Sequence, residues 1–338
     1  MNNQSEFDSG FGEHDCGLFD FQTFSGVFYI LLFIISVTVN IILLCVLIAY
    51  ENLTNVTNLF VVNLACSDLV FTVTLPFYAA DQLHHWVFGD FACKFMTATY
   101  FVGTYSSVIL LTAMTVDRFI TVVLHNWPSN HGRRQRCAMG TCAAAWVISI
   151  AAAISDAIKV KVETNQGLNG FFCVGPSNSS VVNVGYYLQV SLLFFLPFAI
   201  IVFCYSAILK TVLQASNRKR QRTVVVVLCI VTAFLICWGP YNILLFIATF
   251  YIPIGCYLTN RFETAYNICR ILAYSHCCMN PLLYMLSQKL RRHLLKLLHC
   301  ENARQKNRER STVQSTSVIQ NVAFIAQNSA VMLELPSK

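Results

Sequence analysis

Seven apolar stretches divide the sequence, at about Val27–Ala49, Asn58–Ala80, Lys94–Leu124, Cys137–Ile158, Gly185–Leu213, Thr223–Tyr251 and Thr264–Leu286. A run of roughly 18 or more apolar residues is what a helix needs to cross the hydrocarbon core of a bilayer. These runs are continuous rather than the ten-residue alternations of barrel strands. A helix also satisfies its backbone polar groups internally, as a bilayer demands. The expected fold class is an all-α membrane protein, a seven-transmembrane helix bundle with a short amphipathic eighth helix. Charged residues make up only 12% of the 338, against about 25% in a soluble domain. That argues against a soluble enzyme, a disordered scaffold or a nucleic-acid binder, and nucleic acid is not an expected partner. The 15 cysteines lie mostly within the apolar runs and form no zinc-type spacing.

The scarce charge sets the orientation. With the N-terminus outside, Lys94, Lys159, Lys161, Arg261 and Arg270 fall on the outer side, and the rest of the 23 basic residues fall inside, as the positive-inside rule expects. Residues 1–26 have neither Lys or Arg nor an apolar core, so they do not read as a cleaved signal peptide. The expected order is an extracellular acidic arm at 1–26 and a seven-transmembrane domain at 27–287. A membrane-surface helix at 288–300 and a disordered cytoplasmic tail at 301–338 follow. Sequons at Asn3 and Asn178 lie outside, where glycosylation occurs; those at Asn52 and Asn55 fall inside.

Charges within the spans, Asp68, Asp117, Arg118, Asp156 and Arg270, are functional suspects by default. Pro76, Pro197, Pro240 and Pro281 each remove a backbone hydrogen bond and let a span kink. Their neighbours carry a pattern. Asp117-Arg118-Phe119 resembles the Asp-Arg-Tyr motif of rhodopsin-like G-protein-coupled receptors. Cys237-Trp238-Gly239-Pro240 resembles that family's helix-six switch, with Phe234 one turn earlier, and Asn280-Pro281-Leu282-Leu283-Tyr284 matches its helix-seven motif. Asn40, Leu64, Asp68, Trp146, Pro197 and Tyr205 stand at the family's signature places, so the likeness runs from about Val27 to Cys300.

The resemblance implies a receptor rather than an enzyme. Asp117 and Arg118 would form a charge pair at the inner boundary; Tyr205, Phe234, Trp238, Pro240, Asn280, Pro281 and Tyr284 would make up the switch. Asp68, Ser107 and Asn280 would bind a sodium ion, the one cofactor expected. Thr74-Leu75-Pro76, Trp86 and the run His276-Cys277-Cys278-Met279-Asn280-Pro281 are similar to the chemokine-receptor branch. Within it, Arg270 followed by Ile-Leu-Ala-Tyr-Ser-His-Cys-Cys most resembles the XC-type (lymphotactin) receptors, since most CC-type receptors carry glutamate there. The branch implies two outer disulfides, Cys93–Cys173 and Cys16–Cys256, and an oxidising exterior permits both.

The arm adds a physical argument. Glu6, Asp8, Glu13, Asp15 and Asp20 stand there without one basic residue, interleaved with phenylalanines, and such a tail steers basic partners toward itself. A basic chemokine is the expected ligand, with Glu13, Asp15 and Asp20 on the arm and Tyr78, Trp86, Tyr100, Tyr241, Asn242, Glu263 and Arg270 receiving its N-terminus. The arm has no tyrosine, so tyrosine sulfation is excluded there. Inside, the basic loop Ala215–Arg222 suits a Gi-class heterotrimeric G protein by resemblance. Gln288–His299 reads as an amphipathic helix on membrane lipid, with Cys300 a palmitoylation site. By resemblance, Ser311, Thr312, Ser315, Thr316 and Ser317 would be phosphorylated by receptor kinases and recruit arrestin. The expectation is a plasma-membrane chemokine receptor signalling through Gi. The alternatives are a non-signalling chemokine scavenger or a receptor for another peptide. A membrane enzyme or transporter is disfavoured, because the spans hold no paired carboxylates, nucleophile–base constellation or inverted repeat.

Overall fold

The structure, a computed structural model, describes residues 21–124, 131–165, 170–174, 195–214, 232–247, 256–285 and 292–296. Among the described residues up to Met285, nine α-helices and one hairpin are formed: α1 (Phe21–Tyr50), α2 (Val56–Thr72), α3 (Leu75–Leu83), α4 (Gly89–Phe119), α5 (His131–Ala157), β1 (Lys161–Asn165), β2 (Gly170–Val174), α6 (Leu196–Gln214), α7 (Thr232–Ile247), α8 (Cys256–Tyr274) and α9 (His276–Met285). All belong to one compact unit ending at Met285, and residues 292–296 form a helical turn within the second unit.

Burial is inverted relative to a soluble bundle. Along α1, Val27, Leu31, Ile34, Ile41 and Ile48 are exposed, whereas Ser25, Ser36 and Asn40 are buried with Tyr29, Leu43 and Leu47. Helix spacing puts these sets on opposite faces; the outward one meets lipid, and the inward one uses small and polar groups that let backbones approach. Ser36 Oγ shares a 2.6 Å hydrogen bond with Thr72 Oγ1, and Asn40 Nδ2 donates to the Cys277 carbonyl at 2.9 Å, tying α1 to α2 and α9. Trp146 Nε1 donates to Asn63 Oδ1 across α5 and α2 at 3.1 Å.

The second span is two helices. Thr74 Oγ1 donates to the Phe71 carbonyl at 2.7 Å, and Pro76 brings no N–H. Val73 N–H still bonds the Leu69 carbonyl at 3.1 Å, but Thr74 N–H turns to the Phe71 carbonyl at 3.0 Å, and α3 starts afresh at Leu75. Gly103 of α4 packs on the same place: a Cβ there would lie 2.6 Å from the Phe71 nitrogen, and its carbonyl accepts from Ser67 Oγ at 2.9 Å. At its inner end α4 runs into a π-helical turn, Ile120–Leu124.

Several boundaries differ from the hydropathy reading: α4, α5 and α8 start five, six and eight residues before Lys94, Cys137 and Thr264. Helix α1 begins at Phe21, six residues before Val27, because Phe21, Phe24 and Phe28 stack along it. The segment after α5 pairs as an antiparallel hairpin, with Lys161 opposite Val174 and Val162 opposite Cys173. Lys161 also bonds Glu163 at 2.6 Å, which holds its ammonium above the usual lysine range.

Candidate functional site

At the outer end, a disulfide joins Cys93 at the top of α4 to Cys173 of β2, with 5.6 Å between their Cα atoms. Beneath it Trp86, 1% exposed, packs against Cys93 and Met96 with Cys173 alongside. The indole Nε1 donates to the Gly89 carbonyl at 2.9 Å, and Gly89 takes the positive φ (79°) that a side chain disfavours. The Trp86 N–H donates to the Phe171 carbonyl at 2.8 Å, so the hairpin is fastened across the first outer loop. Trp86 supports the pocket mouth rather than lining it.

Deeper in, tyrosines surround one cation. Arg270 of α8 lies over the Tyr29 and Tyr266 rings, 5.8 and 5.7 Å from their centroids, and its Nη2 donates to Gln82 Oε1 at 3.0 Å. Its Nε is buried and meets no acceptor among the described residues. Tyr241 and Tyr266 share a 3.2 Å hydroxyl contact. Tyr78, Tyr100 and Tyr274 cluster next to these, with the Tyr100 ring edge-on to Tyr78 at 5.9 Å and tilted against Tyr274 at 5.6 Å. Asn242 is buried, its Nδ2 donating to the Trp238 carbonyl at 2.9 Å in the turn that contains Pro240; Glu263 is exposed. Sequence reasoning missed Tyr29, Gln82 and Tyr266, and the signal for the last was its helical spacing from Arg270.

The aromatic contacts continue inward without a gap. Phe71, fully buried, touches Tyr100 and Tyr274 at 5.4 Å and His276 at 4.9 Å; His276 lies 5.1 Å from Trp238, which lies 6.3 Å from Phe234. The Trp238 Nε1 finds no acceptor among the described residues.

Beside this chain Ser107 Oγ donates to Asp68 Oδ1 at 3.1 Å, and Ser67 bonds both Ser106 and Ser107. His276 Nδ1 lies 2.8 Å from the Ala273 carbonyl, and its Nε2 faces Asp68 Oδ1, 3.8 Å away. Of the third expected ligand, Asn280, the side chain is outside the described residues, as are those of Tyr284 and Cys256. Pro281 and Tyr205 are buried, in α9 and α6. Asn3, Glu13, Asp15, Cys16, Asp20, Asn178 and Cys300 lie outside the described residues, and with them the Cys16–Cys256 bridge.

The inner end corrects one expectation. Asp117 does not pair with Arg118. Both its oxygens are taken by Arg134 of α5: Nε and Nη2 donate to Oδ1 at 3.0 Å each, and Nη2 donates to Oδ2 at 2.7 Å. Neighbours in a helix point about 100° apart, whereas Arg134 approaches from outside with its fork aligned. The Nε and Nη2 of Arg118 are buried and meet no acceptor among the described residues. Phe119 packs against Phe203 of α6 at 5.8 Å.

The sequence profile of the 7 transmembrane receptor (rhodopsin family) matches residues 39–284. Chemokine XC receptor 1 of Homo sapiens is 38% identical over 282 residues, covering 80% of each chain. That of Mus musculus is 39% identical over 273 residues, covering 80% of this chain and 81% of its own. C-C chemokine receptor type 8 of Homo sapiens is 31% identical over 276 residues, covering 80% and 78%.

Proposed function

Since the chain belongs to the rhodopsin family of seven-transmembrane receptors, in its chemokine-receptor group, we propose that it captures a basic chemokine at the cell surface and passes the event to a Gi-class G protein. It is a multi-pass plasma-membrane protein and a receptor, not an enzyme.

One observation carries the reading: an uninterrupted path of packed rings joins the Arg270 pocket to the switch tryptophan. A chemokine drawn in by the acidic arm places its N-terminal segment among Tyr78, Tyr100, Tyr241, Tyr266 and Arg270. The ligand gains contacts only if these rings adjust, and Phe71 and His276 stand between them and Trp238. Since Pro240 weakens α7 just beyond Trp238, a shift there swings the inner half of α7 and opens the inner end. Binding then favours the open state by the difference in affinity for the two states, and by no more. Asp68, Ser107 and Asn280 would hold a sodium ion that supports the closed state; the serine hydroxyls fit such an ion. Kinases and arrestin would then act at the serines and threonines of the tail, and Cys300 would carry a lipid.

The test is a panel of XC-, CC- and CXC-type chemokines applied to cells expressing the chain, with binding and Gi nucleotide exchange read side by side. Binding with exchange supports the proposal. Binding without exchange makes the protein a scavenger, and absence of binding across the panel removes the chemokine assignment.

A further inference from the structure

We infer that Arg134 is a positioning residue for coupling: by occupying the whole Asp117 carboxylate, it keeps the neighbouring Arg118 unpaired. The functional arm of this inference rests on the coupling reading above.

Two nitrogens of Arg134, Nε and Nη2, make three contacts with the Asp117 carboxylate at 2.7–3.0 Å. The pair is partly shielded, with side-chain exposures of 27% for Arg134 and 13% for Asp117. Such a bidentate pair is stronger and more directional than an exposed ion pair. A carboxylate engaged by a fork on both oxygens has little to offer a second guanidinium. Arg118 is next to Asp117 in sequence, yet its Nε and Nη2 are buried and meet no acceptor among the described residues. The arrangement also bridges elements, because Asp117 lies in the last turn of α4 and Arg134 in the first turn of α5. The Asp117 carbonyl itself accepts from Thr121 Oγ1 at 2.8 Å, which steadies the passage into the π-helical turn.

Two consequences follow. An unpaired guanidinium at the inner end is ready to donate hydrogen bonds to oxygen acceptors on a docking protein. Loss of Arg134 would give Asp117 back to Arg118 and withdraw it from such a partner. A purely structural brace between α4 and α5 predicts the opposite arithmetic, because losing both members of the pair would then be no better than losing one.

The full-length receptor in nanodiscs, wild type and as Arg134→Ala, Asp117→Asn and the double variant, separates the two. Arginine modification by phenylglyoxal, mapped by mass spectrometry, reads the state of Arg118 directly. Arg118 is only part-exposed, with Nε and Nη2 buried, so rates are compared between variants: its modification should slow in Arg134→Ala, where Asp117 pairs with it, and recover when Asp117→Asn is added. In parallel, exchange on purified Gi should fall by about fivefold or more in Arg134→Ala, the low end of a coupling between sites, and should recover in the double variant. Chemokine affinity should hold throughout. Unchanged Arg118 modification in Arg134→Ala overturns the inference, as does a double variant no better than the single one. If the wild type drives no exchange at all, the coupling reading falls, and the modification pattern alone decides the clamp.

Discussion

Gly103→Ala would pry apart a close approach of α4 and α2. The added methyl would sit 2.6, 2.7 and 2.8 Å from the Phe71 nitrogen, Cβ and Cα. Two of these are backbone atoms, so no rotamer change relieves the clash. Restoring an ordinary contact of 3.4 Å requires α2 and α4 to separate by about 0.8 Å. Overpacking of this kind costs about 1–3 kcal/mol. The Ser67 bond to the Gly103 carbonyl, 2.9 Å at present, stretches with it, and a lost interhelical bond in a membrane costs about 0.6 kcal/mol on average. The sum is roughly 2–4 kcal/mol. At about 2–4 °C per kcal/mol, Tm should fall by roughly 5–15 °C. Buried thiols at Cys142, Cys204, Cys237, Cys277 and Cys278 provide the assay, since a thiol-reactive dye in detergent reports their exposure on heating. Gly140→Ala is the control: nothing lies within 4 Å of that position, and the better helix former should leave Tm equal or slightly higher. Equal Tm for Gly103→Ala and wild type would refute the close-contact argument.

Other perturbations have distinct signatures. Trp86→Ala removes a buried indole and should cost about 3–5 kcal/mol, whereas Trp86→Phe, which loses chiefly the bond to Gly89, should cost about 1 kcal/mol; thermal melts that rank them equally would count against the packing role. Cys173→Ser opens a link between residues 80 apart and should lower stability by about 2–5 kcal/mol, with surface expression falling in flow cytometry. Arg270→Gln should weaken chemokine binding by at least about tenfold, the effect of roughly 1.4 kcal/mol, and unchanged affinity across the chemokine panel would remove Arg270 from recognition. Ser107→Ala should abolish any sodium dependence of chemokine affinity, and a sodium effect that survives it would place the ion elsewhere.

The sequence made the spans legible because a bilayer leaves few alternatives to a long apolar helix, and it made Asp68, Trp238 and Pro240 legible because each is an unusual residue in such a helix. What it hid depends on direction rather than identity. Trp86 looks like an exposed aromatic in a short loop until Gly89 turns the chain and brings the ring under the disulfide. Arg134 looks like one of several basic residues on an inner loop, and Asp117 has a nearer arginine as its obvious partner; only the relative rotation of α4 and α5 decides between them. His276 reads as packing within a cysteine-rich run, and the way its Nε2 faces Asp68 emerges only once the helices pack together. The hairpin was missed because its strands span only five residues each and follow a helix whose hydropathy dominates the region.

Phe71 has a consequence for pharmacology. It is fully enclosed, with Gly103 at its backbone and Tyr100, Tyr274 and His276 around its ring. A side chain packed that tightly has no room for half-measures: it keeps its place, or its neighbours exchange places together. A weaker agonist therefore would not push the receptor part of the way. It would make the same rearrangement less often, and its reduced efficacy would measure the share of time spent in the second packing.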